Sequence, residues 1–210
     1  MPPHLFTFLA VAIPVVLVPG PSLIAIVARG IAQGRRAGVA FAIADSLGLV
    51  VQVLAIAAGL AALLQTSLLV FRIVQYAGAA YLVYLGVQLW RSSGQPLFGD
   101  AATRTDDRST RTILRQGFVV GVTNPKAGLF LLAFLPQFVS PGAGPEALQI
   151  LLYGLVFTSL TISYGSLMGM FAGQVGAWLR AQVRLQRWIQ RAAAITFVGL
   201  GVRLALTEKN

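Results

Sequence analysis

Cysteine is absent from the 210 residues, which excludes disulfides, thiolate metal sites and thiol redox chemistry. The one histidine, His4, stands near the start of the chain, a poor beginning for a transition-metal site. Acids are scarce as well, six Asp and Glu against sixteen Lys and Arg, and charged residues of both signs make up only 10%. Catalysis within an apolar region needs a nucleophile–base pair or a ligand cluster. No apolar stretch here holds a histidine, a cysteine or a second carboxylate, so the chain does not read as an enzyme. Neither a metal nor an organic cofactor is implied.

Hydrophobic residues supply 57% of the chain, and the mean hydropathy is +0.78. A soluble domain of this size needs a polar shell that such a composition cannot provide. The apolar stretches are long, whereas a β-barrel would show short alternating segments. The expected fold is an all-α membrane protein with six transmembrane helices, near residues 5–27, 38–64, 69–90, 117–139, 147–176 and 189–206. Each has about the 20 residues a span requires. The first differs from a signal peptide in having no Lys or Arg before its apolar run, and Pro14, Pro19 and Pro21 interrupt it.

The net charge of +10 could suggest nucleic acid, but its placement does not. Arg29, Arg35 and Arg36 fall between the first two spans, and Arg91, Arg104, Arg108, Arg111 and Arg115 between the third and fourth. Arg180, Arg184, Arg187 and Arg191 fall between the fifth and sixth. Only Arg72, Arg203, Lys209 and the intramembrane Lys126 lie elsewhere. The positive-inside rule then puts the basic loops in the cytoplasm and both termini outside. Residues 91–116, rich in Ser, Thr, Gly and Asp, read as a cytoplasmic linker between residues 1–90 and 117–210. Three spans in each part give the two halves opposite topology, an inverted repeat.

Two spans carry breaks. The first contains "VPGPS", with Pro19, Gly20, Pro21 and Ser22, and the fourth contains Asn124, Pro125 and Lys126. Asn124 suits an N-cap and Pro125 a first helical position; Gly20 and Pro21 can fill the same roles. Each break would start a new helix whose free N–H groups and dipole attract an anion. A simple proline kink is the alternative.

Asp45, in the second span, is the only acid within any span, and a carboxylate there needs a partner, a proton or water. At about 1.5 Å per residue, Asp45 and Asn124 lie roughly 10 Å below the cytoplasmic edge, and Pro19 at a similar level. One layer then holds two helix N-termini, an ammonium and a carboxylate. It would match a small zwitterion, its carboxylate on the N-termini and Lys126 and its ammonium on Asp45. A structural Asp45–Lys126 ion pair is equally open on charge grounds.

In the fifth span Gly165, Gly169 and Gly173 recur every four residues, a stripe for close helix approach. It serves packing inside the chain or a homodimer seam. Thr158, Thr161, Ser163, Tyr164 and Ser166, with Gln52 and Tyr81, are weaker candidates for lining a pathway, since membrane hydroxyls often bond their own backbone. Residues 178–191, "WLRAQVRLQRWIQR", read as one amphipathic segment at the inner surface, its arginines near anionic lipid headgroups and Leu179, Val183 and Trp188 largely on its other face.

The stretches "PGPSLIAIVARGIAQGRRAGVAFAIADSLG", "YAGAAYLVYLGVQLWR" and "GFVVGVTNPKAGLFLLAFLPQF" resemble the LysE/RhtB family of bacterial amino-acid exporters. The resemblance covers most of the first four spans. It implies a six-span exporter of amino acids or derivatives in the cytoplasmic membrane, driven by proton exchange. Its functional residues carry over to Pro19, Gly20, Pro21, Asn124, Pro125 and Lys126. Ala44 stands where the family has glycine, and the family's acid would fall near Leu49, one turn beyond Asp45 on the same face. Asp45 is thus the candidate for proton coupling. Export of a metal cation and a non-transporting scaffold are the rival readings.

Overall fold

Proline placement decides where the first helices stop. In this computed structural model, which describes residues 4–66, 68–93, 109–140 and 142–206, α1 spans Leu5–Leu17 and α2 spans Pro21–Gln33. Val18 is extended, with φ −63° and ψ 124°, the conformation that a following proline favours. Gly20 is the N-cap of α2 and Pro21 its first residue, where a missing N–H costs nothing. The two helices meet at 50°. Gly34 closes α2 with φ 87°, open to a residue without Cβ, and α3 (Arg35–Thr66) starts at the next residue.

α4 covers Leu68–Arg91. α5 (Thr110–Thr123) and α6 (Pro125–Phe134) are separated by Asn124 alone, and a 3-10 turn, Leu135–Phe138, follows. α7 is Glu146–Met170, α8 Ala172–Ala181 and α9 Val183–Leu206. Four helical segments among the described residues are long and apolar enough to cross a membrane: Arg35–Gly59, Thr110–Phe138, Glu146–Met170 and Val183–Leu206. The bent pair α1–α2 makes a fifth. The protein is therefore a multi-pass membrane protein, helical throughout its spans among the described residues. α4 coincides with the expected third span, but part of its side chains lies outside the described residues.

The observed boundaries correct several expectations. The first span reaches Gln33 rather than residue 27, so Arg29 sits inside α2, 6% exposed, and not in a loop. It escapes lipid by donating to Gln116 Oε1 on α5, a partner 87 positions away that a local pattern cannot announce. α5 begins at Thr110, so Arg111 and Arg115 are helical and the tail of the expected linker, residues 110–116, belongs to a helix; residues 94–108 lie outside the described residues. The expected span 147–176 is divided at Phe171. The 178–191 segment is likewise two helices meeting at Gln182. In the part of this segment that lies on α9 the buried positions are Gln186 and Gln190, while Val183 and Trp188 are exposed.

α3 is the spine, packed on α2, α5 and α7, and α4 pairs with α9. Apolar burial contributes little to association within lipid, so contact depends on close backbone approach. Gly121 of α5 lies so near the backbone carbonyl of Asp45 that a Cβ there would collide with it. Gly38 and Gly169 meet in the same way between α3 and α7, and Gly165 packs on Ile26 and Ala42. Gly165 and Gly169 thus serve packing within the chain; Gly173 lies on α8, where an added Cβ would meet nothing within 4 Å among the described residues. On one side of the break level an aromatic cluster fills the interior. Phe8 lies 5.2 Å from Phe138 and 5.0 Å from Tyr153, and Phe130 stacks on Phe134 at 4.9 Å. Large apolar side chains such as Leu47, Leu54 and Ile195 face outward, as lipid contact requires.

Candidate functional site

Each break exposes the first turn of a helix. On α6 the Asn124 side chain caps its own helix, Oδ1 accepting from the Lys126 N–H at 3.1 Å. α2 has no side-chain cap at all, and Pro21 carries no N–H. The α5–α6 break forms because Asn124, with ψ 103°, is held out of helical conformation by Pro125.

The breaks face one another. The Asn124 amide donates to Ser22 Oγ at 2.7 Å, and the Ser22 hydroxyl donates to Asp45 Oδ1 at 2.7 Å. α6, α2 and α3 are thereby tied through one serine oxygen. Lys126 does not complete this chain with its ammonium. Its Nζ donates at 2.5 Å to the carbonyl of Val18, the extended residue that follows α1, and lies 5.7 Å from the centre of the Phe197 ring. The lysine stem runs across Gly20, where an added Cβ would come within 2.9 Å of Cδ. Asp45 and Lys126 are thus linked through Ser22 and Asn124, each with its own nearest partner.

Gly20, Ser22, Asp45, Asn124 and Lys126 all line one cavity of about 50 Å³, together with Leu23, Ala127, Phe157, Thr161 and Tyr164. Pro19, Pro21 and Pro125 do not line it; they set the breaks that shape it. The volume suits a few water molecules. Tyr164 reaches toward the Leu17 carbonyl at 3.5 Å, beside the carbonyl that Lys126 holds. Thr161 lines the cavity while its hydroxyl returns to Phe157 O at 2.9 Å. Thr158 likewise bonds Gly154 O. Leu49, the position of the acid that the resemblance implies, belongs to the apolar core.

Gln52 is not a cavity residue. Its Nε2 donates to the carbonyls of Gly121, Val122 and Asn124 at 3.1, 2.6 and 3.2 Å. The sequence signal was present, a lone amide seven residues after Asp45, but its acceptors lie some 70 positions away. Among the described residues no group of three or more His, Cys, Asp or Glu converges to hold a metal.

Comparison with known proteins adds three findings. A family model described as LysE type translocator matches residues 13–208. An uncharacterised membrane protein of Pseudomonas aeruginosa is 31% identical over 206 residues, covering 95% of this chain and 94% of that protein. A homoserine/homoserine lactone efflux protein of Salmonella typhimurium is 31% identical over 202 residues, 95% of each chain. No solved structure matches the chain significantly.

Proposed function

The chain belongs to the LysE type translocator family, and from that premise we propose that it exports a small amino acid or amino-acid derivative across the cytoplasmic membrane in exchange for protons. The observation that carries this reading is a cavity bounded by two helix N-termini, an ammonium and a carboxylate. A zwitterion presents the complementary charges: its carboxylate matches the first turns of α2 and α6 with Lys126, and its ammonium matches Asp45. Relatives named for homoserine and homoserine lactone efflux favour short polar substrates.

The contacts around the cavity suggest the working cycle. Lys126 holds α1 against the cavity through the Val18 carbonyl. A substrate carboxylate competes for that ammonium, frees the end of α1 and lets the site open. Asp45, tied to Ser22, carries the proton, since a carboxylate at this depth must exchange partners or protonate whenever its neighbours move. Six spans in two inverted halves are the architecture that fits this cycle. α1–α2 corresponds to α5–α6, α3 to α7 and α4 to α9, and the α3–α7 and α4–α9 pairings are those an exchange of halves would preserve. Both termini are then extracytoplasmic.

Counterflow in proteoliposomes tests the proposal. With labelled L-homoserine, L-threonine, L-lysine and homoserine lactone as probes, accumulation of at least one is expected. Absence of counterflow for every amino acid and derivative tried would favour the scaffold reading, and resistance to divalent metals would favour cation export.

A further inference from the structure

A helix broken by proline leaves specific carbonyls without partners, and at the α5–α6 break these can be named. In a continuous helix Gly121 O would accept from the N–H of residue 125, but that residue is proline. Val122 O would accept from the Lys126 N–H, but that group is taken by Asn124 Oδ1. Both orphaned oxygens instead accept from Gln52 Nε2, which also reaches Asn124 O. Asn124 O in turn accepts from the N–H of Gly128 within α6. One amide nitrogen on α3 thus bridges the end of one half-helix and the start of the next.

Two further details fit. Gln52 Oε1 is buried without a partner, a cost that follows from turning the nitrogen toward the carbonyls. The opposite orientation would set an acceptor against acceptors. Room for that oxygen comes from Gly128, where a Cβ would lie 2.7 Å from it. Asp45 and Gln52 stand seven residues apart, on one face of α3, so the same helix grips the break by its side-chain network and by its backbone. The α1–α2 break shows no comparable clamp: α2 lacks a side-chain cap, and the Val18 carbonyl is held by Lys126.

We infer that Gln52 is a positioning residue, replacing the N–H groups that Pro125 and Asn124 withdraw and so holding the first turn of α6, with Lys126, at the cavity. Its consequence for transport rests on the exporter reading; its geometry does not. The absence of native cysteine allows both to be tested. A127C places the only thiol on the cavity side of the first turn of α6. With a membrane-permeant maleimide, Q52M should speed labelling of A127C roughly tenfold as that turn loosens. Q52K, whose ammonium offers three donors, should restore the slow rate.

In transport of L-homoserine, Q52M should raise KM by roughly tenfold or more, as misplacement of a binding group does. In a K126Q background it should add little, because the two act as one unit. Equal labelling of A127C with and without Q52M, or fast labelling in Q52K, overturns the inference. If Q52M does not fold, the Q52K labelling rate decides alone. Failure of the parent chain to move any substrate counts against the exporter reading and leaves the labelling result to judge Gln52.

Discussion

Ser22 supplies one oxygen to the site, and that oxygen accepts from Asn124 and donates to Asp45. Removing it strands a buried carboxylate oxygen and an amide together. S22A is therefore expected to cost about 1–3 kcal/mol, read as a lower unfolding temperature in detergent, while S22T, which keeps the hydroxyl, should lie closer to the parent. Asp45 has a different test, because its proposed task is coupling. D45N should abolish flux driven by a pH gradient, while counterflow, which needs no net proton movement, should persist with a raised KM because the substrate ammonium loses its carboxylate. Unchanged gradient-driven flux would remove Asp45 from the mechanism.

At the scale of the element, the α5–α6 break trades helical continuity for an exposed N-terminus at the cavity. P125A returns an N–H that Gly121 O can accept, allowing the two helices to join. The variant is expected to unfold at the same or a higher temperature and to lose most transport; full transport with a continuous helix would show the break to be dispensable. The packing across α5 makes a second prediction. G121V drives a side chain into the Asp45 backbone and should reduce folded yield sharply, since neither backbone can retreat from the α3–α5 contact. G173A, with open space around it, should be neutral.

These elements also mark the limit of what the sequence discloses. Both breaks were legible, because proline acts on its own neighbours, and Asp45 stood out as the one acid in apolar surroundings. Helix ends and buried amides were not. Arg29 looks like a loop residue until Gln116 is brought beside it, and Gln52 has no visible purpose until Pro125 strips carbonyls on another helix. The buried Gln186 and Gln190 mislead in the same way, placing the packed face of α9 where polarity suggests the wet one. Local chemistry reads directly; partners distant in sequence do not.

For the whole molecule, the proposed inverted halves fix which loops face which side. In the cysteine-free chain, a cysteine at Ala143, exposed between the 3-10 turn and α7, should react from outside with an impermeant maleimide. One at Ala32, exposed near the end of α2, should react only after the membrane is opened. The reverse pattern would invert the orientation drawn from the arginines and reassign the direction of transport.

The central claim is that the paired breaks and Lys126 receive a substrate carboxylate while Asp45 receives an ammonium. Homoserine and its lactone separate these terms, because the lactone keeps the amine and has no free carboxylate. The decisive measurement is the KM of K126Q for each in counterflow. Loss of a charge-assisted hydrogen bond should raise the KM for homoserine roughly tenfold or more and leave the lactone within about twofold. An equal effect on both, or none on homoserine, would contradict the account.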